Sequence, residues 1–599
     1  MDAAAVAAIV IACTLAWCWA NDKWTIASLG KPATYTSEPQ KSDVVHLLAM
    51  MKAASRGEFV PLLWKQVGEL GAPFEGNWND WPMVEEVQVL AYGLLARMFG
   101  LFGGLNIAAL LGNVLAAVTF YIAARVSSCT PLWAAVGGLA FGLSPFIFAH
   151  SPFHLGREWI WQVPLFLPVW RWVSTEPGIA PWSRRFWLGV GLGFLFGIFN
   201  QYFSYIFCQL AVLGAAVQFV RTRNRPALFS AGAIVAAAAF GFLLMNADTW
   251  TYRLAHGPNP GAVVREYKWL EIYGLKIKDL FIPPVTHRAA AMAAFSAAHR
   301  QSAILLDEDG ASYQGLVGLA ALIWLIGTAV VASIRGRDVP MEAWQLLWIL
   351  VMFTTGGINA LIGAFGLTLF RGACAYSVVI LAITLLWAAR RLSAYQREPA
   401  AIPQVAWAGA AIACLVILWD QVPRPPTPEF TADIARRVAA DREFTELMEA
   451  ALSPGAMVFQ MPVMDFPEAP IPGMPSYDHF RPYLFSKNLR YSFGSMKGRD
   501  RERWQAAVQD KFFEGASLDQ QAGLIRVKKA SAKAAVDELR RLGFSAIYVN
   551  RNAFPDRGKG IEEALLDLGY ARPVIRNATS DLACIILEGN AEREPAARP

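Results

Sequence analysis

Residues 41–82, KSDVVHLLAMMKAASRGEFVPLLWKQVGELGAPFEGNWNDWP, form a long polar stretch in an otherwise apolar chain. The stretch follows one apolar segment and precedes a long series of others. Long loops of this kind are uncommon unless they have a function, and binding and catalytic residues are often found on them. We interpret this stretch as the roof of an active site on the outer face of a membrane.

Asp43 and His46 lie three residues apart in this stretch. On a helix, this spacing places a carboxylate and an imidazole on one face, where both could contact one substrate. The alternative is an amphipathic helix at the membrane interface, in which Asp43 only complements the helix dipole. The spacing alone favours this second interpretation.

The composition is that of a membrane protein. The chain has 599 residues, of which 55% are hydrophobic and 17% are charged, and its mean hydropathy is +0.34. Soluble domains carry about 25% charged residues. Long uncharged runs alternate with short charged clusters, a pattern typical of an α-helical polytopic membrane protein. About eleven transmembrane helices of ~20 residues are predicted: 3–19, 104–126, 131–149, 158–173, 186–203, 204–220, 228–246, 315–333, 343–364, 370–389 and 403–419.

Basic residues in the short loops indicate the orientation. With a cytoplasmic N-terminus, five such loops fall on the cytoplasmic side. They carry Arg125; Arg171, Arg184 and Arg185; Arg221, Arg223 and Arg225; Arg335 and Arg337; and Arg390 and Arg391. The first helix lacks a basic segment before it, so we interpret it as an uncleaved span rather than a signal peptide. Three long segments then lie on the outer face: 20–103, 247–314 and 420–599.

The chain divides into a membrane module, residues 1–420, and an outer α/β domain, residues 421–599. In the second part, short apolar runs at 457–462, 545–550 and 582–588 predict strands, and 431–452, 535–544 and 561–570 predict helices. The net charge of +6 reflects the basic loops, and no nucleic-acid-binding motif is present. The seven cysteines include no CxxC pair, so they predict neither a disulfide framework nor a zinc site.

Further candidate residues lie near the predicted membrane boundaries. His150, His154, Arg157 and Glu158 occupy a loop between two spans, either as functional groups or as headgroup anchors. Segment 247–314 is rich in cations that suit a phosphate headgroup, or anionic lipid in general. In this segment the acidic run 307–309 could bind a cation, and a divalent cation (Mg²⁺ or Mn²⁺) is left as an open alternative. We expect residues 83–99 to form an amphipathic helix with Glu85 and Glu86 facing outward.

Residues 477–504, YDHFRPYLFSKNLRYSFGSMKGRDRERW, interleave aromatic and charged side chains in the outer domain. Such a pattern suits sugar rings, which stack on aromatic faces and need polar partners for their hydroxyls. It also suits a loop that docks this domain onto the membrane module. We favour docking for the aromatic residues and a role facing the sugar for Asp478, His479, Arg481 and Lys497.

The chain resembles the GT-C class of membrane glycosyltransferases, and more closely a bacterial YfhO-like group of putative sugar translocases. The resemblance covers most of the chain and depends on these motifs: SDVVH (42–46), GAPFEGNWNDWP (71–82), HLG (154–156), EIYGLK (271–276), PPVTHR (283–288), YQGLVGL (313–319), MPVMDFPE (461–468) and YDHFRPY (477–483). Val44 stands where that group usually has glycine.

The resemblance implies a transferase in the bacterial inner membrane, with a periplasmic C-terminal domain. It would move a sugar from a polyprenyl-phosphate donor to a glycan or lipid acceptor, with inversion at the anomeric carbon. It implies that Asp43 is the general base, which reverses the preference given by spacing alone. Among the other predicted catalytic residues, His46 or Glu158 would orient the acceptor, and Asp80 would support the loop. For the donor phosphate and the substrate we expect His154, Arg157, Lys268, Arg288, Arg371, Tyr477, Asp478, His479 and Arg481.

Two other functions are compatible with the same features. A lipid-linked sugar flippase or translocator would use the same cations to hold the headgroup. It would also need a polar path through the spans, whereas 104–126 and 315–333 contain almost no ionisable residues. A non-catalytic assembly partner would act through residues 421–599.

Overall fold

The computed structural model describes residues 2–35, 43–81, 85–151, 154–175, 178–223, 225–306, 311–519, 523–570 and 574–587. The helices before residue 421 are α1 (Asp2–Asn21), α2 (Ile26–Leu29), α3 (Asp43–Ser55), α4 (Glu86–Phe99), α5 (Leu101–Val126), α6 (Pro131–Gly142), α7 (Pro145–His150), α8 (Leu155–Glu158), α9 (Gln162–Ser174), α10 (Arg184–Ile198), α11 (Gln201–Thr222), α12 (Arg225–Met245), α13 (Ala247–His256), α14 (Lys268–Ile272), α15 (Ala290–Ser302), α16 (Gly315–Ile334), α17 (Met341–Phe353), α18 (Ile358–Ala364), α19 (Ser377–Gln396) and α20 (Pro403–Asp420). Strands β1 (Phe59–Val60), β2 (Trp64–Val67) and β3 (Gly76–Asn77) form a small antiparallel sheet in the first long loop.

The prediction of a helical multi-pass membrane protein is confirmed. Within the described residues, eight helical stretches are long and apolar enough to cross a membrane. Three of the eleven predicted spans, 158–173, 186–203 and 343–364, correspond instead to the shorter helices α9, α10 and α17 with α18. The eight stretches are Asp2–Asn21, Leu101–Val126, Pro131–His150, Gln201–Thr222, Arg225–Met245, Gly315–Ile334, Ala373–Gln396 and Pro403–Asp420.

Close helix packing fixes the turn that separates α10 from α11. Gly193 and Gly197 of α10 face Ile234 and Ala238 of α12, and a Cβ added at Gly197 would lie 2.0 Å from the Ala238 carbonyl oxygen. Small residues at this spacing allow helix backbones to approach closely. Asn200 then caps α11 by accepting a hydrogen bond from the Tyr202 amide, so only a short turn separates α10 from α11.

The contacts of two basic loops place them at one end of the helix bundle. Arg125, in the last turn of α5, pairs with Asp2 at the start of α1 at 2.7 Å. Arg390 of α19 pairs with Glu342 in the first turn of α17 at 2.8 Å. The long segments meet at the other end of the bundle. Which of these ends faces the cytoplasm remains a prediction.

The C-terminal part forms the predicted α/β unit. Its helices are α21 (Pro428–Ala451), α22 (Phe480–Phe485), α23 (Asp500–Phe512), α24 (Lys529–Arg541) and α25 (Lys559–Asp567). Its strands are β4 (Met457–Met461), β5 (Arg490–Tyr491), β6 (Ser517–Asp519), β7 (Leu524–Arg526), β8 (Phe544–Asn550), β9 (Ile575–Arg576) and β10 (Leu582–Ile586). Five strands form a mixed sheet in the order β5-β4-β8-β10-β9, in which β4 and β8 are parallel and β10 is antiparallel to β8.

This unit packs directly on the first long loop. The Trp78 indole donates a hydrogen bond to the Gly494 carbonyl at 2.9 Å, and its ring lies 6.3 Å from that of Phe480. Both Trp78 and Phe480 are fully buried. Phe480 of the stretch 477–504 therefore contributes to docking, the role predicted for the aromatic residues there.

Candidate active site

A cavity of about 600 Å³ lies at the end of the helix bundle where the long segments meet. Helix α3, the loop before α8, helix α13 and the C-terminal unit all contribute to its walls. The titratable or aromatic residues that line it include Asp43, His46, Glu85, His154, Arg157, Arg253, Arg265, Arg371, Glu468 and Tyr477.

Asp43 and His154 come together in this cavity, although they are far apart in the sequence. The Asp43 Oδ2 atom lies 3.5 Å from the His154 Nδ1 atom, and the two side chains are 42% and 28% exposed. Asp43 is the first residue of α3, where the helix dipole favours its charged form. A partly exposed carboxylate beside an imidazole can accept a proton from a hydroxyl group bound in the cavity.

His46 also lines the cavity, but its ring lies within an aromatic stack. The imidazole lies 4.3 Å from the Tyr477 ring and 4.8 Å from the Trp81 ring, nearly parallel to the first. Burial lowers the pKa of His46 to about 3, so the ring is neutral at physiological pH. Burial also raises the pKa of Tyr477 well above its ordinary value, and the charges of Asp43 and Glu468 add to this effect. His46 is therefore a neutral ring that packs in the wall of the cavity.

Four arginines give the cavity its cationic character. Arg371 lies over the faces of Tyr273 and Trp269, at 5.7 and 6.0 Å, and within the described part of the chain it has no ion pair. Arg157 lies 6.0 Å from the Tyr202 ring. A guanidinium that rests on ring faces, as that of Arg371 does, keeps hydrogens for a bound anion.

The other two cavity arginines were not among the predicted site residues, although both belong to the basic segment 247–314. Arg265 makes a bidentate ion pair with Glu468, at 2.5 and 2.8 Å. Burial opposes ionisation of Glu468, but Arg265 outweighs it and lowers the pKa of this carboxyl. Arg253 donates to Asp80 at 3.1 Å. The motif MPVMDFPE contains Glu468, but only the fold shows that it meets Arg265.

Glu85 is a further cavity residue that the sequence pattern placed elsewhere. The prediction that Glu85 and Glu86 face outward is wrong, since Glu85 lines the cavity and Glu86 is buried against Lys65. Enclosure raises the pKa of Glu85 to about 7, an effect that the charge of Arg157 partly offsets. The carboxyl group of Glu85 therefore titrates near physiological pH.

Two predicted catalytic residues lie outside the cavity lining. Asp80 is buried and accepts hydrogen bonds from Arg253, Asn259 and Arg499, so it joins the first loop to two other segments. A part for Asp80 in the reaction stays a prediction. Glu158 is fully buried behind the cavity, and a Cβ added at Gly112 of α5 would lie 2.9 Å from its carboxylate.

The structure also places several predicted substrate-binding residues away from the cavity. Lys268 pairs with its neighbour Glu266, and Arg288 donates to the Val422 carbonyl at 3.1 Å. Asp478, His479 and Arg481 lie inside the C-terminal unit. His479 contacts the Pro462 carbonyl at 2.7 Å, and burial lowers its pKa to about 4.

No group of three or more His, Cys, Asp or Glu side chains in the described ranges is arranged to hold a metal ion. The acidic run 307–309, the sequence candidate for a cation, lies outside those ranges.

Comparisons with known proteins gave matches only among solved structures. No protein-family model matches the chain, and no curated protein matches it. The oligosaccharyltransferase of Archaeoglobus fulgidus is 10% identical with a TM-score of 0.41, covering 91% of this chain and 68% of that one. ArnT from Cupriavidus metallidurans, bound to undecaprenyl phosphate, is 10% identical with a TM-score of 0.43 and 98% coverage of both chains. Arabinofuranosyltransferase AftD from mycobacteria is 14% identical with a TM-score of 0.43, covering 91% of this chain and 36% of that one. Similarity at this distance does not determine function.

Proposed function

We propose that this protein is an inverting glycosyltransferase that moves a sugar from a polyprenyl-phosphate donor to a glycan or lipid acceptor. The supporting observation is that one cavity at the end of the spans contains both Asp43 with His154 and the cations Arg157 and Arg371. A transferase of this kind needs a base for the acceptor hydroxyl and positive charge for the leaving phosphate.

Asp43 is the general base of the proposed reaction. It takes the proton of an acceptor hydroxyl while the hydroxyl oxygen attacks the anomeric carbon of the donor. The bond between that carbon and the phosphate oxygen breaks, and its electron pair leaves with the phosphate. His154, 3.5 Å from Asp43, positions the carboxylate. General-base catalysis contributes typically about 10²–10⁴-fold.

Arg371, Arg157 and Arg265 stabilise the phosphate as it leaves. The leaving phosphate gains negative charge at the edge of a low-dielectric bilayer, where fixed cations have a larger effect than in water. Arg371 is the principal cation, because its described contacts are to ring faces. Arg265 is held in place by Glu468 and completes the positive wall.

The remaining lining suits the lipid part of the donor. Phe242, Trp250, Leu369 and Phe370 line the same cavity. Trp250 and Leu369 are 54% and 63% exposed, and they lie at the ends of spans where the bilayer interface is expected. A cavity with arginines and exposed apolar residues fits a polyprenyl phosphate better than it fits a free nucleotide sugar. We assign this end to the periplasmic side of the bacterial inner membrane, with the N-terminus in the cytoplasm.

The test is a transfer assay with the full-length protein in nanodiscs. Wild type and Asp43→Asn would receive a panel of polyprenyl-phosphate sugars and candidate acceptors, with products read by mass spectrometry. We expect transfer by the wild type and a loss of about 10²-fold or more in the variant. Both proteins should melt at the same temperature and bind the donor equally.

Two outcomes would contradict this mechanism. Full activity of Asp43→Asn would exclude Asp43 as the base. Donor binding without transfer by the wild type, with every acceptor, would instead favour a lipid-linked sugar flippase or an assembly partner. Movement of a fluorescent donor analogue across the membrane of proteoliposomes that contain the protein would then show that it is a flippase.

A further inference from the structure

A second pocket of about 640 Å³ lies next to the proposed active site along helix α13. Its lining comes from the small sheet of the first loop, from α13 and from the C-terminal unit. It includes Gln66, Asn77, Asn79, Tyr252, His256 and Arg501. None of these residues has a role in the mechanism above.

The two pockets share helix α13 as a wall. Thr249 and Arg253, four residues apart, line the active-site cavity. Tyr252 and His256, also four residues apart, line the second pocket. Positions i, i+3, i+4 and i+7 lie on the same side of a helix, so the two pockets lie next to each other along that side of α13.

A single buried carboxylate joins the two sites. Asp80 accepts a hydrogen bond at Oδ1 from Arg253, which lines the cavity, and at Oδ2 from Arg499, which lines the second pocket. The Arg499 guanidinium is also bonded to the carbonyls of His256 and Gly257 at 3.0 Å. Arg499 is thus a structural part of the wall, and the two sites are adjacent.

The lining of the second pocket has the chemistry that a sugar ring requires. Tyr252 and His256 form a stacked pair with ring centroids 4.1 Å apart and an interplanar angle of 16°, and the Arg499 guanidinium lies over the Tyr252 ring at 5.4 Å. The outer face of this stack offers a flat surface for sugar C–H groups. Gln66, Asn77 and Asn79 add carboxamides, which both donate and accept hydrogen bonds as hydroxyls require. In the described part of the chain, Asn79 Oδ1 is a buried acceptor without a partner.

The charges around the pocket favour a neutral ligand. Arg499 is committed to Asp80 and two carbonyls. Arg501 and Asp500 are exposed and of opposite sign. Carboxamides and rings therefore dominate the lining, whereas an anion site would offer mainly N–H donors.

We propose that this pocket binds a neutral sugar unit of an oligosaccharide, as a subsite next to the reaction centre. Under the proposed function, on which this assignment rests, the sugar belongs to the acceptor glycan. The pocket then holds a part of the acceptor distant from the reacting hydroxyl, and so adds binding energy without touching the reacting atoms.

The experiment measures sugar binding separately from catalysis. Full-length protein in nanodiscs would be titrated with soluble neutral oligosaccharides of hexose and N-acetylhexosamine units, and with uronic-acid oligosaccharides, by saturation-transfer difference NMR. We expect neutral oligosaccharides to bind, with affinity reduced about tenfold in Tyr252→Ala and retained in Tyr252→Phe. Gln301→Ala removes an exposed carboxamide of α15 outside the pocket, and it should bind as the wild type does. If Tyr252→Ala does not fold, Gln66→Ala replaces it, since Gln66 is exposed on β2.

Several results would overturn the proposal. In the first, the wild type binds no neutral oligosaccharide. In the second, Tyr252→Ala binds neutral oligosaccharides as well as the wild type does. In the third, only acidic oligosaccharides bind, and their binding is lost in Arg501→Ala. The variant Asp43→Asn distinguishes a failure of this proposal from a failure of the proposed function, because Asp43 lies outside this pocket. Sugar binding that persists in Asp43→Asn, together with loss of transfer, supports both proposals. Unchanged transfer in Asp43→Asn contradicts the proposed function alone.

Discussion

The protein contains two clusters of arginine and carboxylate side chains that differ in how completely the charges are paired. In the C-terminal unit, Arg481 is 4% exposed and donates to Asp441 at 2.7 and 2.8 Å and to Asp581 at 2.7 Å. In the active-site cavity, Arg371 contacts two aromatic faces and borders an open volume. The first guanidinium is saturated by the protein, and the second is available to a ligand.

The difference separates structural charge from functional charge. A buried arginine that is bonded to several carboxylates holds segments together, because removing it leaves these buried carboxylates without compensation. A guanidinium that rests on rings at the edge of a cavity keeps its capacity to bind a phosphate. The two clusters should therefore respond oppositely to mutation, one in stability and the other in activity.

The largest expected effect is on stability, in Arg481→Met. Burial opposes ionisation of Asp581, but Arg481 and hydrogen bonds from Thr579 and Asn577 outweigh it and hold its pKa well below the usual value. Without Arg481 these buried carboxylates lose their counter-charge, which costs about 3–5 kcal/mol. Thermal unfolding in nanodiscs should show a clear drop in melting temperature. Activity per folded molecule should stay near that of the wild type, and a selective loss of kcat would instead place Arg481 in the site.

The sequence pattern could not make this distinction. Residues 477–504 interleave aromatic and charged side chains, and this composition fits both a sugar site and a docked interior. Five residues in that stretch were predicted to contact the sugar or the substrate, and of these only Tyr477 lines the cavity. Two carboxylates that bind Arg481 lie 40 and 100 residues away along the chain, so local spacing carries no record of them; among the described residues, only Asp478, three residues away, is a local partner.

Features that depend on local pattern were predictable. The spans follow from hydropathy, and β4, β8 and β10 follow from short apolar runs between turns. Asp43 was predicted as a site residue from a motif after the first span, and it lines the cavity. Glu85 was misplaced because an amphipathic pattern defines two faces of a helix but does not show whether the polar face meets solvent or a cavity. The pairing of Arg265 with Glu468 is likewise a product of tertiary structure.

The second-largest expected effect is on activity, and it distinguishes Arg371 from Lys268. We predicted from the sequence that both cations contact the donor phosphate or the substrate. Arg371→Ala removes a guanidinium that faces the cavity, and we expect kcat/KM to fall about 10²-fold with an unchanged melting temperature. Lys268→Ala is the matched control, because Lys268 lies outside the cavity lining and pairs with Glu266. Its activity should remain within about twofold of wild type, as is usual for an exposed ion pair. Equal losses in the two variants would mean that general positive charge at the membrane surface, rather than this cavity, recruits the donor.

The smallest expected effect is a change of the donor KM with pH. It tests whether ionisation of Glu85 changes the charge balance around Arg157 in the cavity. The pKa of Glu85 is about 7, raised by its enclosure, so the carboxyl group is mostly neutral at pH 6 and mostly ionised at pH 8. Ionisation adds a negative charge beside Arg157, whereas a phosphodiester donor keeps the same charge over this range. The KM for the donor should therefore rise by about fivefold from pH 6 to pH 8, as expected for an added like charge at partly screened distance. In Glu85→Gln the side chain remains neutral, so KM should stay at the low-pH value throughout. An equal rise of KM in this variant, which retains His154, would show that a group other than Glu85 titrates. The charge of Arg157 would then be balanced equally at pH 6 and at pH 8.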